Sequence, residues 1–296
     1  MLLEEILIFG TMQGALLALL ALGFSLVYGV GGLLNLAHGA FFLVTAYIVY
    51  WTILFLTPIL GPSNYPLVFA IAAVVGLSCI LTIGAVTYLG LMKPLQKSHI
   101  GVVLVTFAMA FFFEQFVKFV GDPKTHYIAP FVPGTVTLFE RITFSAQLLA
   151  LIFGSVILVT LVTLFISKST IGKSIRAVSQ DLEAAKLVGI NTDMVMMTSV
   201  MISALLVGFA AVLYAPGNYI APRIGWGYLL LAFSVTIFGG MGSIPGSILG
   251  AYVMGYATTL TDYLINPSFS QIVPLIVILV MLLVRPQGLL GKKGLQ

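Results

Sequence analysis

Four groups of residues have types and spacings that could do chemistry. The first is Gly172-Lys173-Ser174, inside the polar stretch SKSTIGKSIRAVSQDLEAAKLVGIN that runs from Ser167 to Asn191. A phosphate-cradling loop needs a further glycine four intervening residues before Gly-Lys-Ser, and it follows a strand. Ser167 holds that position and a long apolar run precedes it, so nucleotide binding by this chain is not expected. The second group is Glu114 and Lys118 in FFFEQFVKF, spaced to meet on one helix face. The third is Asn35, His38 and Gly39 in NLAHG. The fourth is the remaining histidines, His99 and His126, which fall in separate loops expected on opposite sides of a membrane. No metal site and no catalytic residue is therefore expected: no serine has a histidine and a carboxylate in its own compartment.

The elements that hold these residues follow from composition. The chain is 60% hydrophobic and 7% charged, against about 25% charged in ordinary soluble domains. Between Glu5 and Lys93 no Asp, Glu, Lys or Arg occurs. A helix crosses the hydrocarbon layer with about 20 apolar residues, so that run alone holds about three spans. The fold class is an all-α polytopic integral membrane protein, one transmembrane domain over residues 1–296, with about eight to nine spans. Apolar runs place them at Ile6–Tyr28, Ala40–Leu56, Leu67–Leu91, Val102–Val120, Ile142–Ile166, Met194–Ala215, Tyr228–Phe238, Ser247–Thr261 and Ser270–Val284. The seventh and eighth are too short to cross unless broken or tilted.

Orientation follows from Lys and Arg in short loops, which concentrate on the cytoplasmic side. Lys93 and Lys97, then Lys168, Lys173, Arg176 and Lys186, then Arg285, Lys292 and Lys293 follow alternate spans. That places the N-terminus outside and the C-terminus inside. The net charge of +4 therefore reports topology and not a nucleic-acid footprint. The lone Cys79 lies in an apolar run and reads as a packing residue.

Two regions break the span pattern in related ways. GFSLVYGVGGLLNLAHGAFFLVTAYIV (Gly23–Val49) and AFSVTIFGGMGSIPGSILGAYVMG (Ala232–Gly255) each pass from Phe-Ser through a Gly-Gly pair and a small or polar turn to a second apolar run. They read as a weak internal repeat. Paired broken helices point to a transport pathway, because irregular backbone at membrane depth survives only when buried in protein or lining a cavity. Candidate pathway residues are Asn35, His38, Gly39, Glu114, Gly240, Gly242 and Ser243. With so few ionisable residues inside the spans, ion coupling within the chain is poorly provided for.

The polar stretch predicts a short helix. Ser179 is the expected cap, Asp181 and Glu183 lie in its first turns, Lys186 in its last, and Gly189 just beyond. Leu182, Ala185 and Val188, with Ala184 and Leu187 beside them, make a slim face open to close approach.

At RAVSQDLEAAKLVGIN (Arg176–Asn191), GGLLNLAHGAFFLVTAYI (Gly31–Ile48), GGMGSIPGSILGAYVMG (Gly239–Gly255) and RPQGLLGKKG (Arg285–Gly294), the chain resembles permease subunits of ABC importers for branched-chain amino acids. The likeness spans nearly the whole chain and fits the shorter of the two paired permeases. It implies that the loop of about residues 168–193 docks into a separate ATPase, with Asp181, Glu183, Ala184, Ala185 and Gly189 at the matching positions. It implies a second permease, ABC ATPase subunits that use the ATP and Mg, no cofactor in this chain, and residence in the inner or plasma membrane. It also implies an extracytoplasmic solute-binding protein, for which Asp122, Lys124, Arg141 and Arg223 could supply complementary charge. The alternatives are a related permease for urea or short amides, and a passive channel or secondary transporter.

Overall fold

A charge-free run in hydrocarbon can satisfy its backbone only internally, so it folds as helix. The computed structural model describes residues 2–121, 123–138, 142–270 and 272–291. Helices α1 (Leu2–Gly31), α2 (His38–Leu60) and α3 (Tyr65–Val86) come first. A π turn over Thr87–Met92 carries α3 into the short α4 (Lys93–Leu95). Then come α5 (His99–Gly121), α6 (Ala146–Lys168), α7 (Thr170–Gln180), α8 (Leu182–Leu187) and α9 (Thr192–Tyr214). The chain finishes with α10 (Ile224–Gly239), α11 (Ile244–Leu264), α12 (Pro267–Ser270) and α13 (Val273–Val284). Seven helical stretches among the described residues are long and apolar enough to cross a membrane. To these the fold adds α10, 16 residues long, and α11, 21 residues long and diluted by Gly, Ser, Thr and Tyr. The protein is an all-α polytopic membrane protein.

α1 is the central post. Its residues Ala15–Leu22 are fully enclosed by α9, α10, α11 and α6. Close approach to α11 is bought by glycine: a Cβ on Gly14 would reach Tyr252, and one on Gly255 would overlap the Gly14 backbone. The peripheral helices instead show wide apolar faces. Phe111, Phe112 and Phe119 on α5, Phe153 and Leu161 on α6, and Leu279 and Leu283 on α13 all point outward. Exposed surfaces of that size suit hydrocarbon and not water.

The structure departs from the sequence reading in three places. The fifth span begins at Ala146 and not at Ile142. Residues Ile142–Ser145 form strand β3, antiparallel to β2 (Thr135–Leu138), with the Thr137 and Thr143 hydroxyls 3.2 Å apart. A short apolar run carries no periodicity that separates strand from helix, and Ser145 then caps α6 by accepting from the Gln147 N–H. The starts of the last three spans also shift: α10 starts at Ile224, α11 at Ile244 and α13 at Val273. The polar stretch makes two helices, α7 and α8, capped by Ser169 and Asp181. Ser179, the expected cap, lies inside α7 and donates to the Arg176 carbonyl. Ile175 and Val178 are buried, and their packing carries α7 past Ser179 to Gln180.

At the end opposite α8, β1 (His126–Tyr127) pairs with β4 (Tyr219–Ile220). This ties the segment after α5 to the one after α9. Buried Gln147 fixes the same region: its Oε1 accepts from the Phe131 and Val132 amides, and its Nε2 donates to the Leu213 carbonyl.

Candidate functional site

The first break is residues 32–37. Gly32 turns the chain at the end of α1 with φ +61, a region that glycine enters without a Cβ penalty. The Leu36 amide donates to Thr106 Oγ1 on α5, and the Ala37 amide to Asn35 Oδ1. These side chains satisfy backbone groups that the interrupted helix leaves free. His38 opens α2, and its Nε2 lies 2.9 Å from the Leu20 carbonyl of α1. A carbonyl only accepts, so Nε2 carries the proton and Nδ1 is the acceptor for Ser203 Oγ on α9 at 3.3 Å. The ring also meets Phe24 edge-on, at 5.4 Å between centroids. Leu20 is eleven residues before Gly31, about 16 Å along α1. Thus α2 begins well inside the bundle and not at its end. Asn35 is buried, and its Nδ2 has no hydrogen-bond partner among the described residues.

The second break is Gly240–Ser243. Gly240 and Gly242 have φ of +103 and +82, and Ser243 caps α11 by accepting from the Gly246 amide at 3.2 Å. The carbonyls left free at the end of α10 are met by the C-terminal segment. The Leu289 amide donates to the Phe238 carbonyl at 2.8 Å, and the Leu290 amide to the Gly239 carbonyl at 3.0 Å. The two breaks belong to one neighbourhood. A Cβ on Gly29 would come within 3.0 Å of Gly242 Cα. Phe24 and Phe233, which open the two related stretches, touch at 5.7 Å between centroids. Where α2 crosses α10, a Cβ on Gly39 would overlap the Gly225 carbonyl.

A polar cluster sits between α5 and the start of α10. Glu114 Oε1 accepts from Lys118 Nζ at 2.5 Å, and Oε2 accepts from Trp226 Nε1 at 2.5 Å. Arg223 Nε stands 3.9 Å from Oε1. Phe107 packs on Trp226, at 5.4 Å between centroids. Glu114 and Trp226 line two spaces. One is an open cleft of about 450 Å³ that also involves Phe107, Phe111, Gln115, Lys118 and Arg223. The other is a void of about 10 Å³ against Gly39, Ala40 and Gly225, no larger than a single water needs.

At the far end of the bundle, α8 stands on α7. Asp181 Oδ1 accepts from the Ala184 amide at 2.9 Å. Gly189, at φ +83, closes the helix, with its amide bonded to the Lys186 carbonyl and the Ile190 amide bonded to the Ala185 carbonyl. That pair of bonds is the Schellman arrangement. Asp181, Glu183, Ala184 and Gly189 are exposed, whereas Ala185 turns inward. It joins an apolar cluster with Ile175, Val178, Val195 and Met196, and with Val30 and Leu33 at the first break. On the free side Leu187 is 89% exposed and Val188 76% exposed. Gly172 is buried against Ile166 in the first turn of α7, so Gly-Lys-Ser forms helix here and not a phosphate loop.

The family model for the branched-chain amino acid transport system permease component matches residues 6–282. The chain belongs to that family. The permease is 30% identical to the high-affinity branched-chain amino acid transport system permease protein BraD of Pseudomonas aeruginosa, over 96% of this chain and 94% of that one. It is likewise 30% identical to LivH of Escherichia coli K12, with the same coverage. A probable LivH of Methanocaldococcus jannaschii is 27% identical over 93% of this chain and 89% of that one. Among solved structures, PsaBC from Streptococcus pneumoniae in complex with Fab superposes with a TM-score of 0.51 at 12% identity. The match covers 95% of the permease and 92% of that chain, and at that identity it bears on the fold alone.

Three neighbourhoods of the permease hold most of the residues singled out in its sequence. Asn35, His38 and Gly39 lie at the first break, and Gly240, Gly242 and Ser243 at the second, which meets Gly29 in the last turn of α1 just before the first break. Glu114 and Lys118 pair as their spacing requires. Arg223, expected among charges facing a binding protein, is 86% exposed and its Nε stands 3.9 Å from Glu114 Oε1. Lys124 is exposed at the end opposite α8. Asp122, Arg141, Lys292 and Lys293 lie outside the described residues. Trp226, Thr106 and Ser203 escaped the sequence reading, since each meets its partner from a distant helix and carries no local pattern.

Proposed function

We propose that the permease is the membrane-spanning subunit of an ATP-driven ABC importer that moves branched-chain or similar amphipathic amino acids. An extracytoplasmic binding protein delivers the solute. A second permease completes the pathway, and separate ATPase subunits dock on α8 and use the ATP and Mg. The chain lies in the inner or plasma membrane with its N-terminus outside and its C-terminus in the cytoplasm. The bias of Lys and Arg supports that orientation, since Lys93 lies in α4 and Lys168, Lys173, Arg176 and Lys186 lie in α6–α8.

The observation that carries the reading is the build of α8. It is a short helix fixed at both ends by its cap and its glycine, with apolar side chains left uncovered on one side. On the other side Ala185 shares its cluster with Leu33, inside the first break. A partner that pressed on α8 would load that cluster and, through it, the break where α2 begins. The Lys93–Asp193 ion pair, at 2.9 Å, adds a link from α4 to the start of α9. A switch of this kind needs a partner with different contacts in two states, and nucleotide-driven closure of the ATPases supplies one.

Glu183→Arg combined with Gly189→Trp tests the docking. It reverses one exposed charge and places a bulky side chain at φ +83. The double variant is expected to insert in the membrane and to lose ATPase co-purification. Normal co-purification would show that the ATPase binds elsewhere.

A further inference from the structure

The cleft at Glu114 is built asymmetrically. Glu114 lies seven residues before the end of α5, about 10 Å along the helix. It is thus within the span, where ionised side chains face protein or a water-filled cavity. Its side chain is 7% exposed, yet that of Arg223 is 86% exposed. Here the carboxylate is held by Lys118 and Trp226, and the guanidinium reaches it through Nε alone at 3.9 Å. The guanidinium has five N–H donors in a fork that matches a carboxylate, and its two terminal nitrogens make no contact with Glu114 within hydrogen-bonding distance. Within this cluster one carboxylate faces two cations. Beside them Phe107 and Trp226 form an aromatic wall.

We propose that this cleft is a station for the zwitterionic head of an α-amino acid with an apolar side chain. Arg223 and Lys118 take the solute's carboxylate, Glu114 takes its ammonium, and the side chain lies on Phe107 and Trp226. A carboxylate offers about four lone-pair sites, so Glu114 has capacity for one further donor beyond Lys118 and Trp226. An uncharged amide could donate to Glu114 and accept from Arg223, but it brings no negative charge to meet the extra cation. The cleft therefore favours a head with both charges over urea-like solutes. Trp226 and Glu114 also wall the small void against Gly39, so the same pair stands between the station and the first break. This inference rests on the importer reading and names a site for its substrate.

The test uses the complete transporter in proteoliposomes, fed with binding protein loaded with L-leucine. Arg223→Gln and Glu114→Gln are compared with wild type and with Arg223→Lys. Glutamine at 114 keeps an acceptor for Trp226, so the fold has its staple. Each glutamine variant is expected to lower the maximal uptake rate at least tenfold while the KM for loaded binding protein stays within twofold. Arg223→Lys is expected to recover part of the rate. A raised KM with an unchanged maximal rate would overturn the proposal and assign Arg223 to binding-protein docking. Wild-type uptake by both glutamine variants would overturn it as well. No ATP-dependent uptake by wild type would instead contradict the importer reading beneath it.

Discussion

Gly39→Val is expected to lower the thermal unfolding midpoint of the detergent-solubilised permease by about 5–10 °C, whereas Gly227→Ala should leave it nearly unchanged. The reason is the contact at the crossing of α2 and α10. A Cβ on Gly39 overlaps the Gly225 carbonyl and also meets Leu229, whereas one on Gly227, two residues along the same helix as Gly225, meets nothing within 4 Å. A flexible side chain can swing away from an intruding methyl; a backbone carbonyl in a packed helix can yield only by moving the helix. Overpacking of this kind costs about 1–3 kcal/mol and more when the backbone must shift. The crossing also sets where α2 begins, because His38 is adjacent and fixed to Leu20 and Ser203. A midpoint within 1–2 °C of wild type for Gly39→Val, on the scale of about 2–4 °C per kcal/mol, would mean that the two helices do not meet there.

Ala185→Asp is expected to reduce ATPase co-purification more than tenfold without lowering the midpoint of the bundle. Ala185 is the buried foot of α8, set among Ile175, Val178 and Val195. A carboxylate there would sit among apolar side chains, and removing a charge from water costs several kcal/mol unless it is well paired. Tenfold in an equilibrium needs only about 1.4 kcal/mol, so the penalty exceeds what is required to unseat the helix. α8 is six residues long and stands on α7 at the edge of the fold, so it can detach while the long helices keep their packing. Retained co-purification would show that the ATPase does not need α8 held in this pose.

The parts of this molecule that sequence disclosed are those governed by neighbours along the chain. Absence of charge is a one-dimensional property, and it placed the spans. The Glu114–Lys118 pair and the Gly189 turn follow from helical spacing and from glycine's access to positive φ. Contacts between distant segments were not disclosed. Nothing near Trp226 indicates that its indole reaches Glu114, 112 residues earlier. Nothing near Leu289 and Leu290 indicates that their amides complete the end of α10. The capping of α8 shows the middle case. Ser179 and Asp181 are both competent caps two residues apart, and burial of Val178 in the bundle decides for Asp181. For the pathway, sequence marked the two breaks, but their meeting at Gly29 and Gly242 is a matter of packing.

The central claim is that the permease moves solute only when a partner drives it through α8. Purified alone and reconstituted into vesicles, the permease should give no leucine flux above empty vesicles, with or without ATP. The same vesicles given the second permease, the ATPases and loaded binding protein should take up leucine only with ATP. Leucine flux from the single chain would contradict the account.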